Sequence, residues 1–185
     1  MRVRVAALTL LLISPLGHIA GAQGLPPDYT DPAVLGFEAG IICAVAPDRV
    51  DDAPGTVSGI KHVVEDRPPF LSNSRRVPAA LGVGFGVSAQ AVDPDGIDGV
   101  TMVVSHPPLP ESGAREQSFR TVIPGNAPGI TFYQFDYEYE LALGRWTLTT
   151  YGADGTVLFS IPFEVVPPEA VPGLAEACNY VELLS

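Results

Sequence analysis

Residues 156–165 alternate. Val157, Phe159, Ile161, Phe163 and Val165 share one side, and Thr156, Leu158, Ser160, Pro162 and Glu164 share the other. A period of two is that of an extended strand with one face against a core. Arg145 to Tyr151 repeats the pattern with Trp146, Leu148 and Thr150 on one face, and Gly152-Ala153-Asp154-Gly155 lies between the two runs. Asp-Gly adopts positive φ at little steric cost, so the pair reads as a hairpin. Pro162 has no N–H to donate, which places its nitrogen toward an edge or a bulge.

Upstream, Thr131 to Leu141 also alternates. Tyr133, Phe135, Tyr137, Tyr139 and Leu141 fall on one face, and Gln134, Asp136, Glu138 and Glu140 on the other. A row of rings of this kind is expected to be core, since each buries a large apolar area. One tyrosine could tie its hydroxyl back to nearby backbone, as in the corner of immunoglobulin-like sandwiches. The carboxylates opposite, Asp136, Glu138 and Glu140, are candidates for paired acid–base work, but on one strand face they read as a wet surface. Further strands are expected at Phe37–Ala44, Thr56–Val64, Leu81–Val92, Val100–His106 and Glu116–Ile123. Residues 65–80 read as a long surface connection. Pro167-Pro168 ends the last strand, and Leu174 to Cys178 has room for one helical turn. No helical period of useful length occurs, and 19 glycines with 19 prolines argue against long helices. The expected class is all-β, an antiparallel sandwich of about seven to nine strands with a short C-terminal tail.

The first residues follow another rule. Arg2 and Arg4 precede an apolar run from Val5 to Leu16, and Ala20-Gly21-Ala22 offers small side chains for cleavage before Gln23. That is the pattern of a secretory signal peptide, with a run too short to span a bilayer comfortably. The expected organisation is a signal peptide over 1–22, an irregular arm over 23–36, a sandwich over 37–166 and a tail over 167–185. No membrane span is expected after cleavage. Cleavage would leave 185 − 22 = 163 residues, with 10 − 2 = 8 basic against 21 acidic side chains, a formal charge of −13. Such a surface repels phosphate backbones, so nucleic acid is not an expected partner. Cys43 and Cys178 are the two cysteines of the chain. In an oxidising compartment they read as one disulfide closing a long loop, for which chain entropy allows about 5 kcal/mol. The alternative is two free or metal-bound thiols, against which stand the lack of a CxxC and of a cysteine beside a histidine.

Motifs that carry chemistry are sparse. His62 and His106 are isolated, and neither sits in an HExxH or a Cys/His cluster; His106 precedes the run Pro107-Pro108-Leu109-Pro110 and could cap that turn. Gly82, Gly84 and Gly86 form GxGxG, with the wrong spacing and no following helix for a dinucleotide. On a strand, Gly82, Gly84, Gly86, Ser88 and Gln90 line one face. This strip is either approached closely by another segment of the protein or is a groove for a partner strand or sugar ring. Asp93, Asp95 and Asp98 are a weak Ca²⁺ candidate in a run better suited to a turn. No catalytic residue, cofactor or firm metal site is expected.

The segments Leu81-Gly82-Val83-Gly84-Phe85-Gly86-Val87, His106-Pro107-Pro108-Leu109-Pro110, Tyr133-Gln134-Phe135, Glu140-Leu141, Gly144-Arg145-Trp146 and Phe163-Glu164-Val165, in this order, resemble the bacterial domain of unknown function 3859 family. The resemblance runs from about Phe37 to Val166 and implies an exported or envelope protein with an immunoglobulin-like sandwich. It implies no activity and no site residues. The expected role is a non-catalytic binding or structural module of the bacterial envelope, in the periplasm or outside the cell, whose partner is another envelope protein or polymer. The alternative is a hydrolase-like enzyme acting on an envelope polymer.

Overall fold

A computed structural model describes residues 24–178. The signal-peptide reading over 1–22 and the last residues of the tail lie outside the described residues. Eleven strands, β1 (Tyr29–Thr30), β2 (Val34–Cys43), β3 (Arg49–Asp52), β4 (Ile60–Val63), β5 (Arg76–Pro78), β6 (Val83–Ala91), β7 (Ile97–Ser105), β8 (Glu116–Ile123), β9 (Gly129–Gln134), β10 (Gly144–Tyr151) and β11 (Val157–Val166), precede a short helix α1 (Pro172–Ala177). One sheet has the order β1-β11-β10-β7-β8 with β5 also on β11; the second is β2-β6-β9; the third is the hairpin β3-β4. The first two pack face to face. Phe85 of β6 meets Phe163 of β11 at 5.0 Å and Trp146 of β10 at 5.8 Å between ring centres, edge-on to Trp146. Such ring pairs add about 0.5–1.5 kcal/mol each beyond their area burial.

The C-terminal hairpin forms as its alternation requires. Trp146, Leu148 and Thr150 are fully buried, as are Phe159, Ile161, Phe163 and Val165. Gly155 takes φ +84, and Asp154 accepts from both the N–H and the hydroxyl of Thr156, which holds the turn. Pro162 has a specific place. Glu164 N–H donates to Arg75 C=O, so the even-numbered residues of β11 turn away from β10. On that side β1 covers Phe159–Ser160 and β5 covers Glu164–Val166. Pro162 falls between these two short strands, where no N–H is called for.

Several expectations change. The arm over 23–36 already contains β1 and the start of β2. The stretch over 65–80 contains β5, whose Val77 is fully buried and which pairs parallel with β11. The strand expected over Thr56–Val64 shrinks to Ile60–Val63, because Thr56 and Gly59 build the β3–β4 turn through Thr56 N–H to Ala53 C=O and Gly59 N–H to Thr56 C=O. The two-residue and three-residue strands, together with β3, raise the count above the expected seven to nine.

Cys43 and Cys178 are joined in a disulfide with Cα atoms 5.4 Å apart. The bond clasps the segment after α1 to the end of β2, and Leu174 packs on the core beside it. Other bonds seal the same flank: Ile41 N–H donates to Ser72 C=O and Leu71 N–H to Ile41 C=O.

Candidate functional site

The sandwich is open along one side, between β8 of the larger sheet and β9 of the smaller. The β3–β4 hairpin roofs this opening. Ser118 N–H donates to Gly55 C=O, Val57 N–H to Gln117 Oε1 at 2.8 Å, and Lys61 Nζ to Arg120 C=O at 2.8 Å. These bonds fasten the hairpin to β8. At the β9 side, His62 Nδ1 lies 3.2 Å from Asp136 Oδ2. Beneath the roof is a cleft of about 400 Å³. Ile60, Phe119, Thr121, Phe132 and Tyr137 are among its walls, and Gln117, Tyr133 and Glu140 form its floor.

The floor is a chain of buried hydrogen bonds. Tyr133 hydroxyl donates to Glu140 Oε1 at 2.6 Å and accepts from Gln117 Nε2 at 2.9 Å. Glu140 Oε2 accepts the backbone N–H groups of Asp136 at 2.7 Å and Tyr137 at 3.0 Å. Gln117 Nε2 also lies 3.3 Å from His106 Nε2, while His106 Nδ1 meets Pro107 C=O at 2.8 Å. That second contact makes Nδ1 the protonated nitrogen and leaves Nε2 to accept from Gln117. The imidazole lies on the Trp146 ring, 4.6 Å between centres. Burial pushes the Glu140 carboxyl above the usual carboxylate range, against the pull of its three donors. Burial and the neighbouring Glu140 push the Tyr133 hydroxyl well up, and burial lowers His106 despite its bond to Pro107. The floor therefore holds polar atoms that already satisfy one another.

The residues singled out by sequence are dispersed. The glycine strip is not an open groove. Gly84, Gly86 and Ser88 are buried; Ile42 fills the space over Gly84, and Phe132 that over Gly86. Arg67, from the 65–80 connection, donates to Ser88 Oγ at 2.9 Å. Gly82, with φ +77, lies against Ala44, and Gln90 Nε2 donates to Gly125 C=O. Among the described residues the close approach is made by neighbouring strands and by the 65–80 connection. Asp93 and Asp95 lie in a turn, in which Asp93 Oδ1 accepts Asp95 N–H at 3.0 Å, and Asp98 lies in β7. No group of three or more His, Cys, Asp or Glu gathers to hold a metal among the described residues. The row of carboxylates breaks up as well. The strand ends at Gln134, residues 138–140 turn as a 3-10 helix, and Glu140 rotates inward to 5% exposure, whereas Tyr137 from the expected core face is 42% exposed. Leu109 anchors the proline run in the core.

Gln117 and the Tyr133–Glu140 pair were not legible as a site. Glu140 had a local signal: a carboxylate three residues after Tyr137 can fold back on the N–H groups that open a turn. Gln117 had none, since its partners are distant in the chain.

Fold and cleft together define a two-sheet β-sandwich whose open side is roofed by a separate hairpin. The chain belongs to the family described as a domain of unknown function (DUF3859), which matches residues 31–165. It is also similar to an immunoglobulin-like protein from Pseudomonas aeruginosa, with 22% identity over 79% of this chain and 100% of that one, at a TM-score of 0.48. No curated protein matches the chain.

Proposed function

We propose that this protein is an exported, non-catalytic binding module of the bacterial envelope and that it takes its ligand in the cleft under the β3–β4 hairpin. The observation that carries the reading is the cleft itself, a concave site of about 400 Å³ with largely apolar walls and a polar floor fixed by its own hydrogen bonds. Ligand sites are of this size and kind, and a floor that needs no rearrangement lowers the entropy lost on binding. Export is supported by the Arg2/Arg4, apolar, small-residue succession over 1–22 and by a disulfide, which persists in oxidising compartments. The binding role is supported by a floor whose His106, Tyr133 and Glu140 are engaged with one another or with backbone.

Two measurements test it. Osmotic-shock fractionation of producing cells, with the intact mass, should place the protein outside the cytoplasm and beginning at Gln23; a cytoplasmic protein retaining Met1 refutes export. A photo-crosslinker at Ser58, on the cleft rim, should give discrete adducts in cells, lost when Ile60→Trp fills the cleft. The same crosslinker at exposed Glu169 should not give them. Equal adducts from both positions, or none from Ser58, refute the cleft as the site.

A further inference from the structure

We infer that the cleft takes an extended polypeptide segment, with acidic side chains among apolar ones, which pairs with β9 as a fourth strand of the three-stranded sheet. The inference rests on the cleft being a binding site and names what that site takes.

The two strands that border the cleft differ at their edges. Along β8, Ser118 N–H is bonded to Gly55 and Arg120 C=O to Lys61, so the hairpin closes the middle of that edge. β9 pairs with β6 alone. Phe135 N–H donates to Val83 C=O and Gly82 N–H to Phe135 C=O, so the odd-numbered residues of this stretch face β6. The main-chain groups of Ile130, Phe132 and Gln134 then turn toward the cleft, and no hydrogen bond among the described residues engages them. Folded proteins usually cover, charge or shorten such an edge. β9 has six residues, and Ile130, Phe132 and Gln134 on its open side bring no charge. A row of alternating donors and acceptors at strand spacing is matched in full only by another backbone. The side chains of an added strand that point inward would enter the cleft against Phe119 and Ile60. β4, which bounds the cleft opposite β9, pairs with β3 alone.

Charge selects among peptides. Arg49, Lys61 and Arg120 border the cleft in a chain of formal charge −11. Asp51 pairs with Arg49 and Lys61 just outside the lining. Of the lining carboxylates, Asp136 faces His62, and Glu140 is enclosed by its own donors. The mouth thus gathers three basic side chains in a chain of net negative charge, and acidic side chains complement it.

The test begins with a random heptapeptide display library selected on the purified exported protein. The strongest binder is then followed by amide hydrogen exchange and titration. Selected sequences should alternate apolar residues and carry acidic ones, and their affinity should fall as salt rises. Binding should slow exchange at Ile130, Phe132 and Gln134 at least tenfold. Phe132→Pro removes an N–H that β6 does not use and should weaken binding at least tenfold; Glu169→Ala, at an exposed position away from the cleft, should leave it unchanged. N-methylation of the peptide at alternate residues should abolish binding in one phase and spare it in the other, which decides the matter even if Phe132→Pro does not fold. A binder blocked by Ile60→Trp but indifferent to Phe132→Pro and to N-methylation overturns strand pairing while leaving the cleft as a binding site. A library without binders also overturns the inference, and the Ser58 adducts then judge the cleft independently.

Discussion

Phe85, Phe135, Trp146 and Phe163 fill one part of the interior with rings, whereas Gln117, Tyr133 and Glu140 fill the adjoining part with hydrogen bonds. The two parts touch: Tyr133 lies 5.2 Å from Trp146 and 6.0 Å from Phe85 between ring centres. They respond to change differently. Apolar packing is non-directional, so a volume-conserving swap costs little and only a cavity costs much. A buried polar chain is directional, and removing one member strands its neighbours without water. The sandwich gains strength from the first region and a fixed floor for the cleft from the second.

The largest effect should come from Phe85→Ala, whose ring touches those of Tyr133, Phe135, Trp146 and Phe163. About 3–5 kcal/mol of stability should be lost, measured by denaturant unfolding, whereas Phe85→Leu should cost well under half of that. Equal losses from the two substitutions would contradict the apolar account of this region. Glu140→Ala comes next, at about 2–4 kcal/mol, because it leaves the Tyr133 hydroxyl and the N–H groups of Asp136 and Tyr137 without their acceptor. Unlike Phe85→Leu, the near-isosteric Glu140→Gln should still be costly. It keeps an oxygen for the backbone but turns an N–H₂ toward a Tyr133 oxygen that already accepts from Gln117. A silent Glu140→Gln would mean that the floor is no more directional than the ring cluster.

These two regions also differed in how far the chain alone disclosed them. The ring cluster rests on a period of two, which survives in any correct strand assignment; Trp146, Phe159 and Phe163 could be placed without knowing their partners. The floor needs residues 106, 117, 133 and 140 at one point, and nothing local says that β8 and β9 border one opening. The alternation over 131–141 was misleading at its end. Once the backbone leaves the strand after Gln134, Glu140 no longer faces water, and the carboxylate expected on a wet surface becomes the acceptor for a buried tyrosine. The edge role of Pro162 was legible because a missing N–H is a property of the residue itself. That two short strands share the second edge of β11 was not, because β1 and β5 take their position from pairing rather than from any pattern of their own.

Tyr133→Phe should have a smaller effect, about 1–2 kcal/mol. It keeps the ring contacts with Phe85 and Trp146 but removes the link between Gln117 and Glu140. Because Tyr133 belongs to both regions, it tests whether they are energetically separate. A double-mutant cycle with Glu140→Gln should show coupling, whereas one with Phe163→Leu should be close to additive. Coupling of similar size in both cycles would mean that the interior is one unit.

The smallest effect lies in the dependence on pH, where the two titratable groups of the floor act in opposite senses. Glu140 is raised from an ordinary value of 4.5, first by burial. Between 4.5 and its raised value the folded chain holds a proton that the unfolded chain has released, so its contribution declines as pH rises through that window. His106 is lowered from 6.5, again first by burial, so below 6.5 the unfolded chain takes up a proton that the folded chain refuses. Its contribution is complete above 6.5 and declines as pH falls toward the lowered value. Melting temperature against pH should therefore change slope in opposite directions in the two variants. Glu140→Gln should remove a decline on the rising side of 4.5, and His106→Gln should remove a decline on the falling side of 6.5. The comparison uses slopes because each substitution also shifts the absolute level. Parallel curves for wild type and Glu140→Gln would show that the carboxyl titrates alike in both states, which a buried acceptor of three hydrogen bonds should not do.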